Sequence, residues 1–293
     1  MNRSNRQEAL LSTFLLPAAV LSIALSIAPL AQLVRMAVSD VGPTNLLKSW
    51  DFVGTANLEA ALSSKVFWEA ARATATFTAV LLTVDLVVGF IVARLLAGHG
   101  SRLTGALLAL MVLVWALPPV VSGSIWKFLL AGDGALNALL GVIGVEPVGW
   151  LSSPDLSLWA VSLVAAWASL PFAVLIIRGG LLSIPSEILE AAELDGVGSW
   201  SLSRHILLPL LRPTLAVLTI LIILYAFRSF DFVYVMTQGG PGRITNTLPY
   251  LAYQTSFKTF SFGSGAAVAV LSMLVVALLA IPYVANLRRE EHA

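Results

Sequence analysis

The sequence contains no cysteine and few charged side chains. Without cysteine the chain can form neither a disulfide framework nor a thiolate metal site, and it has no cysteine nucleophile. Charged residues make up only 11% of the chain, hydrophobic residues make up 58%, and the mean hydropathy is +0.90. A water-soluble domain cannot bury so much apolar surface in one core. The composition therefore predicts a multi-pass membrane protein surrounded by membrane lipid.

A dense positive charge is also missing, because the formal net charge is only +1. Binding of nucleic acid phosphates needs a basic surface, so we expect no nucleic acid partner. No lysine completes the phosphate-binding pattern G-x-x-x-x-G-K-[ST], and neither H-E-x-x-H nor G-x-S-x-G occurs. We therefore expect that this chain is not an enzyme and that it has no catalytic residue, no metal site and no bound cofactor.

Long apolar runs occupy most of the sequence. A helix needs about 20 apolar residues to cross a bilayer, and this rule predicts an all-α fold with six transmembrane helices. The predicted spans are residues 13–38, 70–97, 105–130, 156–182, 213–235 and 263–287. Pro118 and Pro119 lie within the third span and predict a kink or a break, which membrane helices tolerate where the backbone is buried or lines a cavity.

The first apolar run follows Arg3 and Arg6, as the apolar run of a secretory signal peptide also follows basic residues. Residues 9–34 contain no charge, and this length exceeds the roughly 7 to 15 residues of a signal sequence. We interpret the run as a retained transmembrane helix. Cleavage near residues 28–31 is the alternative.

Basic residues at the ends of the spans indicate the orientation. An even number of spans puts both termini on one side of the membrane. The arginines that fall on that side are Arg3, Arg6, Arg94, Arg102, Arg178, Arg204, Arg212, Arg288 and Arg289. Since cytoplasmic helix ends carry an excess of basic residues, both termini are predicted to be cytoplasmic. Residues 183–212 then form the one long cytoplasmic segment.

This segment is the most polar part of the chain. Ser186 is a predicted N-cap, and Gly196 can adopt the positive φ that ends a helix. A second helical run begins at Trp200, and Pro209 and Pro213 are expected to separate it from the fifth span. The pattern predicts a helix, a turn and a second helix beneath the membrane, which we call the elbow (residues 183–212).

The first helix of the elbow is acidic. A connector that lies on an anionic lipid leaflet is usually basic, whereas this helix carries four carboxylates. They belong to Glu187, Glu190, Glu193 and Asp195. Ala191 and Ala192 would also let another backbone or ring approach closely. The composition favours docking into a basic socket of a protein partner over a surface connector.

One motif in the elbow is specific. Glu190-Ala191-Ala192 is followed after three residues by Gly196, after nine more by Ile206, and then by Leu208-Pro209. This spacing resembles the EAA loop of permease subunits in binding-protein-dependent ABC importers. The resemblance implies the type I permease fold, with one transmembrane permease domain over residues 1–293 that includes the coupling loop 183–212.

The same resemblance implies roles for the elbow residues. The loop couples the permease to an ABC ATPase dimer, and the ATPase subunits bind ATP and Mg. Glu190 would make the polar contact with the ATPase, Ala191 and Ala192 the close-packed surface, and Gly196 the turn. Asp195, Ile206 and Pro209 complete the predicted ATPase-coupling residues.

Other stretches resemble the sugar branch of this family. Residues 52–57 (FVGTAN), 237–242 (TQGGPG) and 250–257 are similar to the maltose and glycerol-phosphate type, in the first of its two permease chains. This implies import of a mono- or oligosaccharide or a sugar derivative, delivered by an extracytoplasmic sugar-binding protein. The implied partners also include a second homologous permease, and the implied location is the bacterial plasma (inner) membrane. The chain lacks the extra N-terminal helices and large external domain of the maltose prototype, so the substrate-binding residues do not transfer.

Three charged residues lie within the predicted spans. They are Asp85, Arg228 and Asp231, and unpaired charge at such depth is costly. One interpretation is a polar substrate pathway, in which Arg228 and Asp231 bind sugar hydroxyls. One alternative is a structural ion pair, either between Arg228 and Asp231 or with Asp85 across the bundle. The other is that these side chains reach the external water.

Other functions stay open from the sequence alone. A phosphorylated polyol such as glycerol phosphate would need a cationic cavity, which Arg228 alone scarcely supplies. A proton-coupled secondary transporter could use Asp85, and it would need no ATPase. A membrane scaffold is disfavoured by the acidic elbow.

Overall fold

The structure is a computed structural model that describes residues 3–98 and 100–290. For residues 3–16, 18, 19 and 282–290 it describes the backbone and not the side chains. The described chain is almost entirely helical. In chain order its elements are α1 (Arg3–Ala37), β1 (Ser39–Asp40), β2 (Asp51–Phe52), α2 (Ala56–Ser63), α3 (Lys65–Thr83), π1 (Val84–Val88), α4 (Gly89–Ala97), α5 (Arg102–Trp115), α6 (Pro119–Leu129), α7 (Ala135–Val142), α8 (Ser157–Leu182), α9 (Ser186–Leu194), α10 (Ser199–Leu202), π2 (Ser203–Leu207), α11 (Leu208–Leu210), α12 (Arg212–Arg228), α13 (Asp231–Met236), α14 (Leu248–Tyr253), π3 (Gln254–Lys258) and α15 (Phe262–Glu290).

Within the described residues, five helical segments are long and apolar enough to cross a bilayer, and the pair α5 and α6 makes a sixth if it is counted as one span. These segments coincide with the six predicted spans. The second span runs through α3, π1 and α4 without a break, whereas the fifth is divided into α12 and α13. The prediction of a mostly helical, multi-span fold is confirmed.

The described residues divide into two compact units. The first consists of residues 1–64 and 252–271, and the second of residues 65–251 and 272–293. In the first unit β1 and β2 form an antiparallel pair after α1. Asn57 ties this region together, because its side-chain amide donates to the backbone oxygens of Ala37 and Ser39 at 3.1 and 2.9 Å. Position 263 requires glycine, because a Cβ on Gly263 would lie only 2.5 Å from the backbone oxygen of Ser39.

Helix α8 forms the core of the second unit. It packs against α3, α4 and α5 and has buried residues along its whole length, from Ser157 to Leu181, while Trp159, Leu163 and Leu182 are exposed. Small residues allow the closest approach. A Cβ on Gly89 of α4 would lie 3.4 Å from the side chains of Ala173 and Ile177, so the two helices meet where one has no side chain.

The third span is broken rather than kinked. Helices α5 and α6 meet at an angle of 98°, and the turn contains Pro118 and Pro119. Pro119 is the first residue of α6, and an N–H at that position would have no partner within the helix, so its absence loses no hydrogen bond. The sequence analysis allowed a kink or a break, and the structure has the break, which brings α6 into contact with α13, the separated end of the fifth span. Gly123 faces Val235 there, and the Lys127 ammonium donates to the Val235 carbonyl oxygen at 3.0 Å.

One prediction at the elbow is wrong. Ser186 is the first residue of α9 and not its cap, because Pro185 occupies the cap position with no side-chain hydrogen bond. The predicted separation of the elbow arm from the fifth span is present, because the turn residue Leu211 divides α11 from α12. Pro209 and Pro213 each lie in the first turn of their own helical segment, and the Leu211 N–H still bonds the Leu207 carbonyl at 2.9 Å. The wider turn of π2 precedes Pro209, and such turns relieve the crowding that a proline ring causes.

Candidate functional site

The acidic arm of the elbow, helix α9, faces outward. All four of its carboxylates are exposed, and so is Ala191. Leu194 is 90% exposed, an unusual state for a large apolar side chain at the end of a polar helix. Ala192 differs from Ala191, because it is buried within the chain. The structure therefore separates the two alanines, and only Ala191 belongs to the accessible face.

The turn of the elbow depends on Gly196. Its φ is +67°, in the left-handed region that favours glycine. The N–H of Gly196 bonds the Glu193 carbonyl, and the N–H of Val197 bonds the Ala192 carbonyl, both at 3.0 Å. This pair of bonds is the Schellman arrangement that ends a helix. The predicted role of Gly196 in the turn is confirmed.

The second arm of the elbow, residues 199–210, is hydrogen-bonded to the second span. The Arg94 guanidinium, in the last turn of α4, donates to the Ser199 hydroxyl at 2.5 Å and to the Ser203 hydroxyl. Ile206 and Pro209 are half-buried farther along this arm. Through these contacts a displacement of the elbow would pull directly on the second span.

Asp85 lies in π1, inside the bundle, and its side chain is fully buried. The Ser169 hydroxyl of α8 donates to Asp85 Oδ2 at 2.7 Å, while Oδ1 has no hydrogen-bond partner among the described residues. A buried carboxylate with only one partner is an expensive feature. Asp85 therefore holds two spans together and does not face open space in this conformation.

Arg228 and Asp231 flank the break in the fifth span. Ser229 has an extended backbone, with ψ of 94°, so α12 ends at Arg228 and α13 begins at Asp231. Each charge opposes the partial charge of its own helix end, which is favourable. Neither residue forms an ion pair with the other or with Asp85 within the described residues. The assumed continuous helix is absent, so the predicted spacing on one face does not hold.

Tyr225 connects these polar residues. Its hydroxyl hydrogen-bonds Ser229 and lies within electrostatic range of Asp85, Arg228 and Asp231. All three predicted charges thus act electrostatically on one phenol. Sequence analysis missed Tyr225, Ser169 and Arg94 as participants. A hydroxyl in an otherwise apolar span was the signal for the first two, and an arginine at a span end was the signal for the third.

The glycine-rich loop after the fifth span has a structural role. Gly239 has a φ of +86°, and a Cβ there would lie 2.9 Å from the ring of the buried Tyr250. The Thr245 hydroxyl donates to the Gly240 carbonyl at 2.7 Å. Residues 237–242 therefore form a packed loop. No cluster of metal-ligating residues occurs in the described part of the chain.

The comparisons with known proteins identify the family and agree with the fold. Residues 85–290 match the family model "Binding-protein-dependent transport system inner membrane component". The trehalose/maltose transport system permease protein MalF of Thermococcus litoralis is 33% identical over 82% of this chain and 81% of its own. The diacetylchitobiose uptake system permease protein DasB of Streptomyces coelicolor is 31% identical over 94% of this chain and 86% of its own. The sulfoquinovosyl glycerol transport system permease protein SmoG of Agrobacterium fabrum is 33% identical over 92% and 89%.

Solved structures share the fold. A chain of a bacterial ABC transporter involved in the import of the acidic polysaccharide alginate superposes with a TM-score of 0.83 at 19% identity, and 98% of each chain is covered. The alginate transporter in complex with its pentasaccharide-bound periplasmic protein gives a TM-score of 0.78 over 94% of each chain. These likenesses identify the type I ABC importer permease fold. The chain therefore belongs to the family of binding-protein-dependent transport system inner membrane components, as a multi-pass protein of the inner membrane.

Proposed function

We propose that this chain is a permease subunit of an ATP-driven importer that takes up a carbohydrate, either a mono- or oligosaccharide or a sugar derivative. Members of the family are transport components and not enzymes. The observation that carries the proposal is the similarity, over more than four fifths of the chain, to permeases named for maltose, chitobiose and sulfoquinovosyl glycerol uptake. The solute would arrive on an extracytoplasmic binding protein, and a second homologous permease would complete the pathway.

The elbow would couple transport to ATP hydrolysis. Residues 183–212 would act as the coupling loop within a single permease domain over residues 1–293, and an ABC ATPase dimer holding ATP and Mg would dock on α9. The exposed carboxylates of Glu190 and Asp195 offer polar contacts, and Leu194 offers an apolar anchor. Ala192, Ile206 and Pro209 would keep the shape of the elbow, since they are buried or half-buried.

The break in the fifth span would form part of the solute pathway. Arg228 is exposed and Asp231 is partly exposed, so both can offer hydrogen bonds to sugar hydroxyls. Asp85 is a poorer candidate for solute contact, because it is fully buried. We place Arg228 and Asp231 on the pathway and regard Asp85 as a link between the second and fourth spans.

Reconstitution of the complete transporter tests this function. The chain would be co-expressed with its second permease, ATPase and binding protein, and placed in proteoliposomes with labelled sugars and glycerol phosphate as candidate solutes. We expect saturable uptake of a sugar that requires ATP on the ATPase side and persists when a protonophore collapses the proton gradient. Uptake that continues without ATP and stops with the protonophore would instead support proton coupling. Preferential uptake of glycerol phosphate would overturn the sugar assignment and leave the coupling proposal standing.

A further inference from the structure

A groove separates the second span from the second arm of the elbow. It has a volume of about 690 Å³. One wall consists of α4 and the π1 segment, and the other consists of the elbow arm and the start of α12. The apolar lining includes Val87, Phe90, Ile91, Leu95, Leu208 and Leu215.

The apolar part of the groove needs an apolar occupant. Val87, Ile91 and Leu95 are each more than half exposed, although they belong to a membrane span. From Val87 to Leu95 the groove extends about 12 Å along the helix at about 1.5 Å per residue. Water is unfavourable against such a surface, whereas a lipid chain fits its shape and its polarity.

One end of the groove is polar and basic. Arg94, Trp200 and Arg204 line this end. Arg94 binds only the hydroxyls of Ser199 and Ser203 there, and Arg204 is exposed. Neither arginine forms an ion pair with any carboxylate of the described residues. Two guanidinium groups without a counter-charge, at the end of an apolar groove, match a phosphate attached to acyl chains.

The position of Trp200 supports the same occupant. Its side chain is 75% exposed beside the two arginines. Tryptophan rings concentrate at the level of lipid headgroups, where the ring meets the apolar region and its N–H meets water. The groove therefore has its polar end at headgroup level and its apolar wall along the membrane core.

We propose that this groove binds an anionic phospholipid, with the phosphate at Arg204 and Arg94 and an acyl chain along Ile91 and Val87, farther from the end of the span. The lipid would touch both the second span and the elbow arm, and it would fill the space between them. A transmembrane helix of another subunit could cover the apolar wall, but it would neutralise both guanidinium groups only if it brought carboxylates to this end of the groove. This inference does not depend on which solute is carried.

Photocrosslinking in nanodiscs tests the site. The complete transporter would be placed in bilayers with photoactivatable phosphatidylglycerol or photoactivatable phosphatidylcholine, and the crosslinked peptides would be identified by mass spectrometry. We expect several-fold more crosslinking of phosphatidylglycerol at residues 86–95 and 199–208. Arg204→Gln should remove this preference. Arg212→Gln is the matched control, because Arg212 is also exposed and basic but does not line the groove, and it should retain the preference.

A second variant separates lipid from protein as the occupant. The chain has no cysteine, so Ile91→Cys introduces its only thiol. With a bifunctional reagent that links thiols to neighbouring lipid or protein, we expect lipid adducts at this position. Equal crosslinking of the two lipids, an unchanged preference in Arg204→Gln, or a crosslink from Ile91→Cys to another subunit would each overturn the proposal.

Discussion

Two carboxylates in the membrane-spanning unit have different surroundings, and this difference decides their roles. Asp85 is enclosed and receives a hydrogen bond from Ser169, whereas Asp231 opens a short helix beside a break and is partly exposed. A solute can reach only the second of these without rearrangement. From the sequence, where only their position within the predicted spans was known, both carboxylates were candidates for the substrate pathway.

Neutralising Asp231 should weaken transport. In Asp231→Asn the side chain keeps its size but loses its charge, and a hydrogen bond to a charged group contributes about 1.5 to 3 kcal/mol. We expect the maximal rate of sugar uptake to fall roughly tenfold, since about 1.4 kcal/mol corresponds to that factor. The measurement is ATP-driven uptake in proteoliposomes at saturating binding protein. Asp155→Asn, which neutralises another exposed carboxylate outside the pathway, should behave as wild type. Wild-type uptake in Asp231→Asn would remove this residue from the pathway.

The polar contacts inside the bundle could not be derived from the sequence. Ser169 lies 84 residues from Asp85, and local periodicity carries no information about such distant pairs. The charges themselves were recognisable because they interrupt apolar runs. Their grouping around Tyr225 depends on how α12 packs against π1, which is a tertiary property.

At the scale of elements, the break and the turn were predictable and the irregular turns were not. The pair Pro118-Pro119 ends a helix because proline cannot continue one, and Gly196 can adopt the positive φ that its turn requires. The π segments have no comparable signal. Their extra residue is accommodated only when the surrounding helices hold it, and π2 lies directly before the short helix that contains Pro209.

The turn of the elbow gives a matched pair of variants. Gly196→Val would put a β-branched residue at a φ of +67°, which costs about 1 to 3 kcal/mol of strain. Gly198→Val adds the same side chain two residues later, where φ is −64° and no atom lies within 4 Å of the new Cβ. We expect Gly196→Val to lower sugar uptake at least tenfold, while Gly198→Val retains most of it.

The two variants should also differ in coupling. Co-purification of the ATPase and the rate of ATP hydrolysis stimulated by loaded binding protein measure whether the altered elbow still engages its partner. We expect Gly196→Val to lose this stimulation while the chain stays inserted in the membrane. Equal behaviour of both variants would argue against a specific geometry at the turn.

At the scale of the whole molecule, an even number of spans has a direct consequence. If all six segments cross the bilayer, both termini lie on the side of the elbow. The lengths of the apolar runs in the sequence predicted the number of spans, because each crossing requires about 20 residues. The orientation depends on a charge bias at the helix ends and stays a prediction.

Single cysteines can test the orientation without any background labelling of this chain, because it has none. Leu47 is 98% exposed in the segment after α1, and Gly100 is exposed between the second and third spans. We expect Leu47→Cys to react with a membrane-impermeant maleimide in intact cells, and Gly100→Cys to react only after permeabilisation. The reverse pattern would place the elbow outside the cytoplasm.

The wide turn π2, residues Ser203–Leu207, begins at one of the two serines that Arg94 contacts and leads towards the fifth span. It holds one residue more than an α turn, whereas a straight α-helix advances about 100° per residue around its axis. A deletion of one residue within π2 can therefore be absorbed by a return to α geometry, and the four carboxylates would keep their direction relative to α12. The same deletion within α12 would turn everything before it by about 100°. A change of chain length is thus tolerated at this one turn and not in the straight helix that follows.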